Sequence, residues 1–286
     1  LRLVHGAVRV GGYSTGFTIE DTVLDGVTSE NSVEIYSGAS DIKMDGITID
    51  GLLPKWSTWY DQKKIYSGVL MRHAISFNGS DSLTEAINNV EVTNSIIKNE
   101  HDGFELTADS FFDLDISNNI FENIADDPVQ LGTLSYNVEI AHNSMIDVGT
   151  SVSKDGSSAS ADATILGTKY IHHNKIVLER KLFHRELHAD LGGGYLSSSA
   201  DADGRYARKV FDVHNSDETG PMGDPRHYYN NTIVADGNEI SVGFVGQYDN
   251  SAGEVYYPFG TPNLVFNNIF VQKDSTYNTL RFSPNY

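Results

Sequence analysis

The sequence predicts an all-β chain built as a solenoid, and two observations carry that prediction. First, the stretch from His101 to Leu131 holds two copies of one pattern, HDGFEL and then DDPVQL, about 25 residues apart. Second, short segments with alternating apolar residues recur along the chain, and no segment shows a long helical period. Repeats of this length made of short strands are typical of a stack of similar coils.

The strands come in pairs along the chain. The first strands begin at Val33, His73, Asp102, Pro128, Ala163, Val210 and Ile240. The matched second strands begin at Ile42, Val90, Leu114, Val138, Tyr170, His227 and Leu264, and FTIEDTVLDG from Phe17 is an eighth such segment. Because side chains alternate across a strand, we expect one set to be buried: Phe104, Leu106, Val129, Leu131, Ile165, Phe211 and Val213.

An asparagine recurs at one fixed place in the second strands. The column consists of Asn119, Asn143, Asn174, Asn231 and Asn268, with Ser95 at its foot. Asparagine tolerates a left-handed backbone bend and can hydrogen-bond its neighbours above and below. We therefore predict a structural asparagine ladder in which these residues hold the bend and stack in one line.

The asparagine pairs, the Asp-Gly turns and the closing NNTIV and NNIFV strands resemble the pectate-lyase-like superfamily. The resemblance implies one right-handed parallel β-helix domain over residues 1–286, with about eight coils and about three sheets per turn. Long insertions are predicted at 52–67, 149–162, 179–209 and 247–262, where function is usually carried. Both ends look like those of a piece excised from a longer chain.

Composition narrows the function classes. The 286 residues include no cysteine, which excludes a disulfide framework and thiolate chemistry. A formal net charge of −19 disfavours nucleic acid as a partner. No apolar run approaches the ~20 residues of a membrane span, so membrane insertion is not expected. The pectate-lyase-like resemblance implies a polysaccharide partner, so the expected location is secreted, periplasmic or at the cell surface.

Three aspartates form the first candidate site. HDGFEL and ADDPVQL resemble part of the motifs of polygalacturonase-type glycoside hydrolases, although the G-H-G and R-x-K motifs of that family have no counterpart. The resemblance implies that Asp102, Asp126 and Asp127 are acid and base carboxylates, spaced to admit a water for inversion. Turn aspartates without chemistry are one alternative. A calcium cluster of Asp102, Glu105, Asp126 and Asp127 is another, and no organic cofactor is expected.

Arginine and histidine form a second candidate site beside the aspartates. Arg72 and His73 precede one strand just as His101 and Asp102 precede the next, so all four are expected on one edge. Histidine can move protons near neutral pH, and arginine can neutralise a uronate carboxylate. This combination favours β-elimination from a uronate-containing polysaccharide, which makes a polysaccharide lyase the leading hypothesis.

Further candidates lie mainly in the insertions. Seven of the 20 Lys and Arg residues fall within 175–209, which predicts a patch that binds substrate carboxylate or sulfate groups. The additional catalytic candidates are Arg208, Lys209 and His214. The substrate-binding candidates are Trp56, Trp59, Glu105, Gln130, Arg180, Arg185, Tyr206 and Asp212. The alternatives to a lyase are a glycoside hydrolase and a non-catalytic carbohydrate-binding, adhesin or tailspike segment.

Overall fold

The structure, a computed structural model, describes residues 1–4, 7–26, 31–52, 72–78, 83–106, 110–131, 134–154, 168–178, 208–213, 226–235, 240–242, 248–249, 255–256, 264–272 and 281–282. Within these ranges the fold is all-β, and the only helical element is a 3-10 turn at Leu83–Glu85. In the same ranges no helix has the length and apolar character needed to cross a membrane.

The strands are short and numerous. In chain order they are β1 (Arg2–Val4), β2 (Val8–Val10), β3 (Thr18–Glu20), β4 (Val23–Asp25), β5 (Val33–Tyr36), β6 (Ser40–Asp45), β7 (Thr48–Asp50), β8 (His73–Asn78), β9 (Ile87–Thr93) and β10 (Ile96–Glu100). There follow β11 (Asp102–Leu106), β12 (Ser110–Ser117), β13 (Ile120–Ile124), β14 (Val129–Leu131), β15 (Leu134–Ala141), β16 (Ser144–Val148), β17 (Val152–Lys154), β18 (Lys169–His172) and β19 (Lys175–Leu178). The last are β20 (Arg208–Lys209), β21 (Phe211–Val213), β22 (Arg226–Tyr229), β23 (Thr232–Ala235), β24 (Ile240–Val242), β25 (Tyr248–Asp249), β26 (Val255–Tyr256), β27 (Leu264–Phe266), β28 (Ile269–Gln272) and β29 (Arg281–Phe282).

Three large parallel sheets contain most of these strands. The nine-stranded sheet has the order β1-β4-β7-β10-β13-β16-β19-β23-β28, and the seven-stranded sheet has the order β2-β5-β8-β11-β14-β17-β21. The eight-stranded sheet has the order β3-β6-β9-β12-β15-β18-β22-β27. From β1 to β19 the chain therefore returns to each sheet at every third strand. Strands β20, β24 and β29 form a small parallel sheet, and β25 pairs with β26 in the antiparallel sense.

The alternating apolar residues form the core, as the sequence predicts. Phe104 pairs in register with Val129 on one side and with Ile75 on the other. Phe104, Leu106, Val129 and Leu131 are all buried, with no more than 3% of their surface exposed. The Phe104 ring lies 6.3 Å from Phe77 and 5.8 Å from Phe121, so aromatic rings fill the core beneath the candidate site. The predicted core residue Ile165 and the side chains of Phe211 and Val213 lie outside the described part of the chain.

Each predicted second strand is in fact two strands that meet at a sharp corner. The segment from Leu114, for example, contains the end of β12 and all of β13, and Asn118 and Asn119 form the corner between them. The same division occurs in the other second segments, so each of them contributes to both the eight-stranded and the nine-stranded sheet. Buried residues alternate on each side of the corner, at Leu114 and Ile116 and then at Asn119 and Phe121, but the alternation shifts by one residue between Ile116 and Asn119.

The predicted asparagine ladder is confirmed. The Oδ1 atom of Asn119 accepts a 2.9 Å hydrogen bond from the backbone N–H of Ser95, and Asn143 does the same for Asn119. The relation continues through Asn174, Asn231 and Asn268. The backbone bend, however, is not held by the ladder residues, because the left-handed φ angles belong to the residues immediately before them: Asn94 (51°), Asn118 (58°), His142 (57°), His173 (54°), Asn230 (56°) and Asn267 (54°).

Three of the predicted insertions contain strands. Strand β17 lies inside the segment predicted as an insertion at 149–162 and occupies the place in the seven-stranded sheet that was assigned to a strand from Ala163. Strand β20 lies inside the predicted insertion at 179–209, and the β25–β26 hairpin lies inside the one at 247–262. Ala163 and nearly all of 52–67 lie outside the described residues.

Candidate active site

The candidate residues converge at the beginning of three neighbouring strands of the seven-stranded sheet. His73 begins β8, Asp102 begins β11, and the two are partners in register. Asp126 and Asp127 form the turn before β14, and the backbone N–H of Gly103 donates a 2.9 Å hydrogen bond to the carbonyl of Asp127. The parallel register thus brings together acidic and imidazole groups that are 25 or more residues apart in the chain.

His73 is clamped between two carboxylates. Its Nδ1 atom lies 3.0 Å from Oδ2 of Asp102, and its Nε2 atom lies 2.9 Å from Oε2 of Glu105. Burial alone lowers the pKa of His73, but the contacts with Asp102 and Glu105 outweigh that effect and raise the pKa to about 10. The ring is therefore an imidazolium cation at neutral pH and acts as a fixed positive charge.

Asp102 is held in its ionised form. Burial alone raises its pKa, but the charges of His101 and His73 outweigh that effect and hold the pKa well below its usual range. Its Oδ1 atom also accepts a 2.9 Å hydrogen bond from the backbone N–H of Asp127. These contacts fix the position of the Asp102 carboxylate, and only 6% of its side chain is exposed.

Asp127 has the opposite tendency. Burial raises its pKa well above the ordinary value, and the negative charges of Asp126 and Asp102 raise it further. The hydroxyl groups of Thr150 and Ser153 donate hydrogen bonds to its two oxygens, with 2.7 Å for Ser153, and counteract only part of the shift. The environment therefore favours the protonated form of Asp127 and the ionised form of its neighbour Asp102.

His101 and Asp126 complete the cluster. The Nε2 atom of His101 lies 3.8 Å from Oδ2 of Asp126 and 4.0 Å from Oδ2 of Asp102. The His101 side chain is completely buried, whereas 13% of the Asp126 side chain is exposed. Of these two groups, Asp126 is the one that a molecule arriving from solvent can reach.

Glu100 is a member of the site that sequence reasoning missed. It directly precedes His101 and is buried, and a Cβ atom at Gly51 would lie 2.1 Å from its Cδ atom. Burial raises the pKa of Glu100 to about 8, although the charges of His73 and Arg72 counteract it. Thr150 and Ser153 were missed too, because nothing in their local sequence marks them as partners of Asp127. An acidic residue next to the HD pair was the available signal for Glu100.

The other predicted residues are distributed as follows. Arg72 is half-buried at the head of β8, and its carbonyl accepts a 3.2 Å hydrogen bond from the backbone N–H of Asp102. Gln130 is the partner in register of Glu105. For Arg208, Lys209 and Asp212 the structure describes the backbone only, in β20 and β21. Outside the described residues lie Trp56, Trp59, Arg180, Arg185, Tyr206 and His214.

The predicted calcium ligands do not all point to one place. His101, Asp102 and Asp126 each offer one ligand atom within 4.8 Å of the other two. The carboxylate of Glu105 instead contacts His73, and that of Asp127 is engaged by Thr150 and Ser153. A cation bound here could therefore contact His101, Asp102 and Asp126 while Glu105 and Asp127 kept their present contacts.

The arrangement brings together Asp102, whose pKa is lowered, Asp127, whose pKa is raised, and Asp126, whose side chain is 13% exposed, with the imidazolium of His73 beside them. Groups whose environments push their pKa values apart are the usual components of an acid–base site. The comparisons add no relative to this description, because the chain matches no family model, no curated protein and no solved structure.

Proposed function

We propose that this protein is a parallel β-helix enzyme that hydrolyses a polysaccharide, with Asp102, Asp126 and Asp127 as its acid and base groups. The observation that carries the proposal is the close approach of the carboxylates at the N-terminal ends of neighbouring strands of the seven-stranded sheet. Asp102 and Asp126 both lie within 4.0 Å of the Nε2 atom of His101, and Asp127 is tied to Asp102 by a backbone hydrogen bond.

The β-helix itself is supported by the order of the strands. From β1 to β19 each large sheet recurs at every third strand, and its neighbouring strands are parallel. A winding with three sheets per turn produces this order, and nine strands in the longest sheet fit a stack of about eight coils. Right-handed winding is proposed because nearly all crossovers between parallel strands have that hand.

The three aspartates differ in the ways that hydrolysis requires. The raised pKa of Asp127 favours the protonated form that an acid needs in order to give a proton to a leaving oxygen, and the lowered pKa of Asp102 favours its ionised form. Asp126 is the most exposed of the three and is therefore placed to meet the sugar. The oxygens of Asp102 and Asp126 lie within 4.8 Å of each other. Retention or inversion depends on the distance between the acid, here Asp127, and the carboxylate on the other side of the scissile bond. The anomeric form of the first product therefore decides between a retaining mechanism and the inverting step implied by the polygalacturonase resemblance.

β-Elimination from a uronate is the second candidate, and Arg72 is the observation in its favour. Its backbone bonds to Asp102, so its cationic side chain begins beside the cluster, where it can neutralise a substrate carboxylate. The base proposed for that reaction, His101, is completely buried, and its ring would have to move to meet a polymer. Asp126 requires no such movement, which is why hydrolysis is placed first.

The proposed partner is a polysaccharide outside the cytoplasm, and the net charge of −19 bears on its chemistry. Such a protein repels a polyanion on average. A uronate-containing substrate therefore depends on local cations such as Arg72, whereas a neutral polysaccharide does not. Substrate charge is thus a direct test of which candidate reaction the site performs.

The test is to incubate the protein with a panel of neutral and uronate-containing polysaccharides and to measure reducing ends and ultraviolet absorbance together. Hydrolysis produces new reducing ends without the absorbance of an unsaturated uronate. If the absorbance of an unsaturated uronate rises together with the reducing ends, the reaction is elimination and the hydrolysis proposal is wrong. Binding of a polysaccharide without new reducing ends overturns both and leaves a carbohydrate-binding protein.

A further inference from the structure

A second cluster lies at the corners between the eight-stranded and nine-stranded sheets, away from the aspartates. The left-handed residue of each corner is asparagine in four of the six cases named above. The exceptions are His142 and His173, which follow β15 and β18 and are exposed neighbours in the column. Asparagine meets the backbone requirement there, so the two adjacent histidines call for another explanation.

A third histidine faces them. The Nδ1 atom of His172 lies 2.8 Å from the Nδ1 atom of His173. At that distance one Nδ1 atom carries a hydrogen and donates it to the lone pair of the other, because two lone pairs or two N–H groups would repel each other. A metal ion is the other species that could lie between two such nitrogens. The ring of His142 stacks on that of His173 with centroids 4.9 Å apart and planes 17° apart.

The outer ring atoms have partners of their own. The Nε2 atom of His172 lies 3.2 Å from Oε1 of Glu139, and the Nε2 atom of His173 lies 3.1 Å from the side-chain amide of Asn230. If Nε2 of His172 donates its proton to Glu139, its Nδ1 atom is left as a lone pair. A carboxylate behind an imidazole is the usual support of a metal-ligating histidine, because it fixes the tautomer and orients the ring.

We propose that His142, His172 and His173 bind a divalent transition-metal ion of the zinc, copper and nickel class. One ring nitrogen of each lies within 4.8 Å of a ring nitrogen of the other two. Imidazole is a preferred ligand of these ions, and three imidazoles leave a coordination position for water. The site is independent of the proposed hydrolytic function, because it lies in other sheets and shares no residue with the aspartate cluster.

The geometry is close to what such an ion needs. Zinc–nitrogen bonds of about 2.0–2.1 Å in a tetrahedral site place two nitrogens about 3.3 Å apart. The two Nδ1 atoms, now 2.8 Å apart, need to separate by only about half an ångström. The proton between them then moves to Nε2 of His173, and the Asn230 amide turns so that its oxygen accepts it. No net proton or electron is lost in this exchange.

The surrounding charge also favours a cation. Glu139 is in register with Asp115, which is in register with Glu91, so three carboxylate residues follow one line across the eight-stranded sheet towards the histidines. Tyr229 stacks on the His172 ring at 4.6 Å and restricts its rotation. The ion would join corners of two successive strand layers, and we expect it to stabilise the folded chain by mass action.

The test uses the whole protein after treatment with a chelator and dialysis, titrated with Zn²⁺ by calorimetry and with Co²⁺ by visible absorbance. The critical variant is the double substitution His142→Asn and His173→Asn, because asparagine already occupies the equivalent corners and the backbone conformation is kept. We expect wild type to bind one equivalent and the double variant to bind at least about tenfold more weakly, with an unchanged metal-free melting temperature. Glu139→Gln should weaken binding by roughly 10-fold or more.

Two control variants locate the ion. His227→Asn removes a histidine of β22 that lies beside Tyr170 and outside the cluster, and it should bind Zn²⁺ like wild type. Asp126→Asn alters the His101 cluster and should also leave the binding unchanged. Loss of the bound equivalent in Asp126→Asn alone would assign the ion to the aspartate site and overturn the proposal. Equal Zn²⁺ affinity in wild type and the double variant would overturn it too.

Discussion

The backbone N–H of Asp127 donates a 2.9 Å hydrogen bond to the Oδ1 atom of Asp102, and this bond joins two acidic turns in neighbouring strands. In this bond the ionised carboxylate of Asp102 accepts from the backbone of Asp127 and so fixes the position of the Asp126–Asp127 turn. The bond links the proposed chemistry directly to the register of the seven-stranded sheet, since a shift by one residue would separate the two turns.

Asp126→Asn should lower polysaccharide hydrolysis by roughly 10²–10⁴-fold, because it removes the most exposed carboxylate of the proposed acid–base group. The matched control is Asp147→Asn, which changes an aspartate in β16 whose φ of 54° asparagine also tolerates. Initial rates of reducing-end formation measure the effect, and the anomeric form of the first product distinguishes retention from inversion. Equal rates in Asp126→Asn and Asp147→Asn would exclude Asp126 from the chemistry.

Asn174→Ala should lower the free energy of unfolding by roughly 1–3 kcal/mol, because it leaves buried backbone groups without partners. The Nδ2 atom of Asn174 donates to the carbonyl of Ile140 at 2.8 Å, and its Oδ1 atom accepts from the backbone of Asn143 at 2.9 Å. Asn268→Ala, at the half-exposed end of the ladder, should cost less because water can replace its bonds. Denaturant unfolding of both variants measures this, and equal costs would contradict a buried ladder.

The stability contributed by His73 should depend on pH in a predictable direction. Its folded-state pKa of about 10 lies above the ordinary value of 6.5, so folding favours the protonated ring. The contribution is complete below about pH 6.5, falls as pH rises and is lost above about pH 10. Across that window it should decline by about 1.4 kcal/mol per pH unit at most.

The comparison that isolates this effect is wild type against His73→Gln, unfolded by denaturant at a series of pH values. The stability difference between the two proteins should shrink as pH rises from neutral to alkaline. His227→Gln serves as the control and should run parallel to wild type. A difference that stays constant over the whole window would show that His73 is not held as a cation by Asp102 and Glu105.

Gly103→Ala should destabilise the protein by about 1–3 kcal/mol or more, because a Cβ atom there would lie 2.4 Å from the carbonyl oxygen of Pro128. That oxygen belongs to the backbone, so β11 and β14 would have to separate and the aspartate site would widen. Gly11→Ala is the control, since its Cβ would meet only Ser14 Oγ at 3.7 Å. The melting temperature and the activity should both be lower for Gly103→Ala than for wild type. If Gly103→Ala were as stable as Gly11→Ala, the close approach of Gly103 to Pro128 would be contradicted.

Chelation with EGTA should leave hydrolysis unchanged, because the proposed chemistry uses carboxylates that already engage His73, Thr150 and Ser153. The measurement is the rate of reducing-end formation with EGTA and after calcium is restored. Activity that disappears with EGTA and returns with calcium would instead support the calcium ligands predicted from the sequence.

The sequence by itself determined the repeating features of this protein. The alternation that buries Phe104 and Val129, and the ladder from Asn119 to Asn268, follow from patterns within each repeat. Such patterns are visible because strand alternation and corner geometry are local constraints. The equivalence of HDGFEL and DDPVQL was visible for the same reason, and the register of Phe104 with Val129 confirms it.

Only the tertiary structure decided which polar groups meet between repeats. Ladder neighbours are 24, 31, 57 and 37 residues apart, so the lengths of the insertions hide the register. For this reason β17 was placed within an insertion, and neither Glu100 nor the pairing of Asp127 with Ser153 was foreseen. The three histidines at the corners were missed as well. Which side chains of neighbouring strands lie next to each other depends on the length of every insertion between them, and the sequence pattern does not give those lengths.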